Sequence, residues 1–293
     1  MNLNSMLFER LVCPACKSKL GFDELKNELQ CPTCSYPVVN GIPIMIIKSE
    51  QSNQSDFDYL EHYKKDAEEF DYFEQRSGAT EHSERRLREY ILSQIPKSVK
   101  SILDVGSGSA WLAKEFMGKE VFVCSLDATI INTSKAIENY PSKYHAAVVA
   151  DAYKLPFVDG SFDCVIAAEI IEHVVDPAEF IKELMRVLSP GGALILSTPY
   201  KEVIRYALCI HCNKKTPLNS HLHSFDENKL CALYSSGSAG SFEWKAFNNK
   251  LLLFARTHVL LRYFPFSLWR FIDRCANSIF NKPVNIITKV IKK

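Results

Sequence analysis

Residues 102–116, ILDVGSGSAWLAKEF, set the strongest limit on what this chain can fold into. An apolar run ends near Asp104, a turn carrying Gly106 and Gly108 follows, and helix-forming residues come next. Glycine tolerates the sharp bend and close approach that such a turn needs, and a helix starting there points unpaired N–H groups back at it. The order reads as strand, turn, helix, around a crevice suited to a nucleotide-like ligand. Strand and helix patterns then alternate. Strands are expected at 101–105, 121–126, 146–150, 164–168 and 193–198, with later ones at 242–247 and 284–290. Helices are expected at 110–117, 131–139, 177–188, 226–234 and 268–279, and Pro190-Gly191-Gly192 as a turn before the fifth strand. Such alternation predicts an α/β fold, a parallel sheet with helices on both faces.

Acids close three successive strands. Asp127 lies about 20 residues past Gly106, where a carboxylate can accept from a ribose diol. Asp151 ends the third strand, where it can accept from an exocyclic adenine amine while the Ala152 N–H donates to the neighbouring ring nitrogen. Glu169 ends the fourth. Acids also cap helices and form turns, which explains any one of them alone. The ordered set favours a ligand.

Upstream, Cys13, Cys16, Cys31 and Cys34 fall in CPAC and CPTC knuckles with a hairpin-like stretch between them. Two such pairs can place four thiolates tetrahedrally around Zn²⁺, a closed and therefore structural shell. Cys209, Cys212, His221 and His223 form a second, weaker Cys2His2 candidate, against the alternative of an acceptor-side loop. The chain is 293 residues with a formal net charge of +1, a balance that disfavours nucleic-acid coating. It has no apolar run of about 18 residues and no secretion-type N-terminus, so a cytoplasmic location is expected. There its ten cysteines point to metal or buried thiols rather than disulfides.

With these residues in view, the chain resembles the class I S-adenosylmethionine-dependent methyltransferases of the small-molecule, type-11-like kind. ILDVGSGSA resembles their first motif, LDAT the ribose turn, DAYKLPF the adenine turn, FDCVIAAEIIEHVVDP the fourth-strand motif and VLSPGGALILSTP the fifth. The resemblance implies a Rossmann-like seven-stranded methyltransferase sheet. It also implies S-adenosylmethionine held by Asp104, Gly106, Ser107, Gly108, Asp127, Ala128, Asp151, Ala152 and Glu169. Ser107 and Ala110 depart from the pattern but stay small. CPTCSYPVVNGIPIMI resembles the zinc-ribbon methyltransferase-activator family, whose free-standing members activate partner enzymes.

The expected organisation is a zinc ribbon over 1–50, a linker and helical cap over 51–98, and a cofactor-binding domain over 99–293 with an acceptor-side insertion at 199–225. Methyl transfer needs an aligned acceptor and a base. The candidates are Glu169, Glu172, His173, His221 and His223; Glu169, Glu172 and His173 together are also candidates to hold a divalent metal. Tyr63 and Tyr72 are candidates to close over the cofactor. The expected acceptor is a small molecule, quinone-, polyketide- or glycan-like, methylated on O or N. An RNA base methyltransferase and a non-catalytic regulatory protein are the rivals. The basic, aromatic stretch RYFPFSLWRFIDR fits packing on the sheet better than membrane-surface contact. The oligomeric state is not legible.

Overall fold

The computed structural model describes residues 3–47, 58–210, 212–234 and 239–293. The first residues of the expected linker and cap, 51–57, lie outside these residues. Seven strands form the main sheet: β5 Ser101–Val105, β6 Phe122–Asp127, β7 His145–Val149, β8 Phe162–Ala168, β9 Leu188–Pro199, β12 Ala239–Asn249 and β13 Pro283–Lys292. Their spatial order is β12-β13-β9-β8-β5-β6-β7. Strands β5 to β9 run parallel, and β13 and β12 add antiparallel to that edge. The expected α/β sheet is therefore present. The turn expected at Pro190-Gly191-Gly192 lies inside β9 as an irregularity, where pairing jumps from Phe162–Leu188 to Cys164–Ala193.

Alternation along β5 explains why both faces are covered. Leu103 and Val105 join one core with Phe180 and Leu184 of α6 Pro177–Val187. Ile102 joins the other with Tyr90 and Ile91 of α3 Gly78–Gln94 and Trp269 of α10 Phe266–Ile279. Helix starts follow capping chemistry: Asp58 caps α2 Tyr59–Glu69, Thr129 caps α5 Ile130–Asn139, and Asp176 caps α6, each accepting a backbone N–H. Asp163 accepts from the Lys100 and Ser101 N–H groups, so it staples the start of β5 rather than serving a ligand.

The N-terminal unit forms an antiparallel sheet, β1 Gly21–Asp23, β2 Glu28–Gln30, β3 Ser35–Val39 and β4 Ile42–Pro43, preceded by α1 Ser5–Phe8. It is built into the main domain. Ile44 bridges in parallel to Val149 at the end of β7, and the Met45 N–H donates to the Val149 carbonyl at 2.7 Å. Val12 and Arg10 exchange backbone bonds with Pro156 and Val158. Leu7, Leu29 and Met45 share one core with Val148, Phe157 and Phe162. A unit of this size buries too little by itself, and here the sheet edge supplies the missing core.

Arg10 locks the join. Its guanidinium lies 4.9 Å from the Phe122 ring centroid and donates to the carbonyls of Met6 and Ser161. Arg10→Ala is expected to destabilise the protein by roughly 2–4 kcal/mol, because two carbonyls lose a charged donor and the stacking is lost. Denaturant unfolding measures this, and an unchanged midpoint would contradict it.

Candidate active site

A cleft of about 580 Å³ opens at the C-terminal ends of β5, β6, β7 and β8, the edge where open α/β sheets bind ligands. All the expected cofactor residues line it: Asp104, Gly106, Ser107, Gly108, Asp127, Ala128, Asp151, Ala152 and Glu169. Both turn glycines have positive φ, 68° and 47°. A Cβ on Gly106 would come 2.2 Å from Ile170 Cδ1. Ala110 holds a left-handed conformation just before α4 Trp111–Glu115, so a residue with a Cβ stands where that backbone favours glycine.

The Asp127 carboxylate accepts from the Gly108 N–H at 3.1 Å, from the Thr129 N–H and hydroxyl, and from Asn132 Nδ2. Burial raises its pKa against those donors. Asp151 accepts from the Tyr59 hydroxyl at 2.6 Å and from the Tyr153 N–H. Tyr59 belongs to α2, which covers the cleft together with Tyr63 and the following loop; Tyr72 lies over Gly108 and donates to Asp66. Tyr63 and Tyr72, the candidates to close over the cofactor, both line the cleft. Nothing in the sequence marked Tyr59.

Several buried polar atoms in the cleft lack protein partners: Asp104 Oδ2, Ser107 Oγ, Glu169 Oε1 and Tyr63 Oη. Burial, with Asp127 beside it, pushes the Asp104 carboxyl up to about 8. Burial pushes Glu169 up to about 7. Orphaned oxygens in an acid-lined cleft suit a polar, cationic ligand. A pH dependence follows. The folded protein holds protons on these acids that the unfolded chain releases near pH 4. His82 and His173, both depressed to about 4, chiefly by burial, act oppositely, but only below about 6.5. Cys16, lowered to about 6 by its hydrogen bonds to Ser18, acts oppositely between about 6 and 9, so the acids' contribution is read by difference. From about pH 6.5 to 8 the melting temperature of the ligand-free protein is expected to fall relative to that of Asp104→Asn. Parallel profiles for the two proteins would contradict it.

Beside the cleft, Glu172, His173 and His221 bring one oxygen and two nitrogens within 4.8 Å of one another. His173 Nδ1 faces the Ser220 carbonyl at 3.3 Å, which it serves as donor, leaving Nε2 with its lone pair. His221 Nδ1 meets Glu202 Oε2 at 2.5 Å. Thr198 donates to Glu172 Oε2 at 2.9 Å. Burial, then the neighbouring Glu169, holds Glu172 well above the usual carboxylate range. His221 reaches this group because the Leu222 and His223 N–H groups donate to the Glu172 carbonyl. His223 itself faces the Val175 carbonyl. The Cys2His2 candidate is not assembled: no three of Cys209, Cys212, His221 and His223 converge among the described residues. Cys209 and Cys212 sit by the hairpin of β10 Tyr206–Leu208 and β11 Lys215–Pro217. Glu202 and Tyr59 carry no motif, whereas Thr198 lies at the end of the fifth-strand motif VLSPGGALILSTP.

At the N-terminal unit, the sulfurs of Cys13, Cys16 and Cys31 lie within 4.8 Å of one another, with Cys16 and Cys31 3.6 Å apart. Sulfurs around a tetrahedral zinc stand about 3.8 Å apart, given bonds of ~2.3 Å. Cys34 interacts with Cys13 and Cys31, and the Tyr36 hydroxyl lies 3.1 Å from Cys13 Sγ. The donor set fits zinc.

The fold is that of S-adenosylmethionine-dependent methyltransferases. A methyltransferase from Mesorhizobium loti aligns over 72% of this chain and 99% of its own, at 17% identity and a TM-score of 0.50. A chain from the complex between the Haloferax volcanii Trm112 methyltransferase activator and the putative methyltransferase aligns over 81% and 99%, at 16% and 0.51. Residues 103–196 match the family described as Methyltransferase domain, and residues 4–41 match Trm112p-like protein. The chain thus carries a methyltransferase domain joined to a Trm112p-like unit. Chloroplastic tocopherol O-methyltransferase of Arabidopsis thaliana is 40% identical over 108 residues, covering 35% of this chain and 31% of its own. The ubiquinone/menaquinone biosynthesis C-methyltransferase of Pseudomonas paraeruginosa is 30% identical over 140 residues, covering 44% and 55%. Norajmaline N-methyltransferase of Rauvolfia serpentina is 48% identical over 85 residues, 29% of each chain. The matched regions span from under a third to just over half of these relatives.

Proposed function

We propose that this chain is an S-adenosylmethionine-dependent methyltransferase acting on O or N of a small-molecule acceptor in the cytoplasm. The observation that carries this reading is the ordered set Asp104, Asp127, Asp151 and Glu169 around one cleft beside the Gly106–Gly108 turn. In this assignment Asp127 takes the ribose hydroxyls, Asp151 and the Ala152 N–H take the adenine edge, and Ser107 and Asp104 face the methionyl end. The bound cofactor supplies a methyl group activated by its sulfonium. The four acids favour that cation without water.

The chain's own contribution is placement and proton removal. His173 lines the cleft with a neutral ring and a free Nε2 lone pair, so it is assigned as the base. Glu172 lies 4.0 Å from that nitrogen and, because burial holds its carboxyl well above the usual range, favours the proton once taken only after losing its own; a positioned base contributes roughly 10²–10⁴-fold. Glu169 and His221 shape the acceptor side, and His223 holds the loop. Zinc on Cys13, Cys16, Cys31 and Cys34 closes the ribbon, which acts as a built-in activator by covering the β7 edge. Three relatives methylate O, C and N by their names, so the acceptor is sought directly. Tritiated methyl groups from the cofactor, supplied with cell metabolite and RNA fractions, should label a small molecule. Label confined to RNA would overturn the substrate class, and no label in any fraction the activity.

A further inference from the structure

Between β12 and β13 the chain makes an excursion, residues 250–282, through α8 Lys250–Phe254, α9 His258–Leu261 and α10. It leaves and returns at one place: Asn249 pairs with Pro283, and Asn285 pairs with Pro199 at the C-terminal end of β9. That is the cleft edge of the sheet, and Asn285 Nδ2 reaches Glu169 Oε2 at 3.4 Å. The inner face of the excursion is firmly held. Trp269 is buried, and the buried Arg86 of α3 donates to the carbonyls of Leu261 and Phe264 at 2.6 and 2.8 Å.

Its outer face is apolar and open. Phe254 is 85% exposed, Tyr263 72% and Ile279 75%, and Leu260, Phe271 and Phe280 are exposed beside them. Along α10, Leu268, Phe271, Cys275 and Ile279 follow helical spacing and share one exposed stripe. Packing on the sheet thus accounts for only half of this segment. A patch of this kind on a soluble domain marks an interaction surface. The charge around it selects the partner. Residues 250–282 hold six Lys and Arg and one acid, Asp273. Asp273 is 3% exposed and spent on the Asn248 and Asn249 N–H groups. Lys250, Arg256, Arg262, Arg274 and Lys282 are exposed. A second copy would oppose like charges, whereas anionic headgroups complement them. No helix among the described residues is long and apolar enough to cross a membrane, so the segment would lie in the interface plane.

We propose that residues 250–282 dock this protein on an anionic lipid bilayer, setting the mouth of the cleft against the membrane. The docking stands independently of methyl transfer. Joined to the proposed function, and resting on it, it selects an amphiphilic acceptor taken from the bilayer.

The test is flotation of the full chain with phosphatidylcholine vesicles, with and without phosphatidylglycerol. The expected result is co-flotation with the anionic vesicles, weakening as salt is raised. Phe271→Ser with Ile279→Ser, and separately Arg256→Glu with Arg274→Glu, change exposed side chains. Each pair is expected to weaken binding roughly tenfold or more at an unchanged melting temperature. Wild-type protein remaining in the lipid-free fraction would overturn the proposal, as would full binding by both variants. So would a dimer in sedimentation that the Phe271→Ser, Ile279→Ser variant breaks, since the patch would then serve a second copy.

Discussion

Replacing Cys31 with serine is expected to release zinc and unfold the N-terminal unit, with a large loss of stability in the whole chain. Cys31 Sγ lies 3.6 Å from Cys16 Sγ at the centre of the proposed site. Zinc held by four thiolates contributes on the order of 10 kcal/mol to a small domain. Part of that loss passes to the main domain, because Leu7, Leu29 and Met45 pack with Phe157 and Phe162 in one core. Losing the unit would bare the β7 edge at Val149 as an unpaired, apolar strand, the kind of edge that aggregates. Elemental analysis should give one zinc per wild-type chain and none for the variant. The variant should melt at least ten or so degrees lower, given that ~1 kcal/mol shifts the midpoint by about 2–4 °C at this size, or be recovered insoluble. Wild-type protein with no zinc, or a variant of normal stability, would contradict the metal assignment.

The second large effect is on ligand affinity. Asp127→Ala is expected to weaken S-adenosylmethionine binding by roughly 100-fold or more, since two hydrogen bonds to a charged acceptor contribute about 1.5–3 kcal/mol each. The change relieves the desolvation cost of a buried acid but orphans the Gly108 N–H, the Thr129 N–H and hydroxyl and Asn132 Nδ2, so affinity is compared at a temperature where the melting curve shows the variant folded. Asp127→Asn keeps the shape and hydrogen-bonds the ribose less well, so it should fall between the two. Equal affinity in all three proteins would move the ribose elsewhere.

Much of this site was legible because short-range chemistry fixes it. Gly106 and Gly108 need positive φ, and acids at strand ends follow from the parallel order of β5, β6 and β7. The hairpin between the two cysteine knuckles, β1 with β2, was equally local. What long-range packing decides was not legible. Tyr59 meets Asp151 only because α2 lies over the cleft, 92 residues away in sequence. His221 joins Glu172 and His173, rather than Cys209 and Cys212, because the loop backbone is pinned to the Glu172 carbonyl. The union of the ribbon with β7 rests on a backbone pairing at Ile44 and Val149 that no side chain announces. The stretch RYFPFSLWRFIDR read as packing because its aromatic content hid a two-sided pattern, Trp269 inward and Phe271 outward.

Isothermal calorimetry with S-adenosylmethionine tests the central claim most directly. One cofactor should bind per chain, and repeating the titration above and below pH 8 should reveal linked proton release, as the cation draws the proton from Asp104. No measurable heat from a folded, zinc-replete protein in buffers of differing ionisation enthalpy would contradict it.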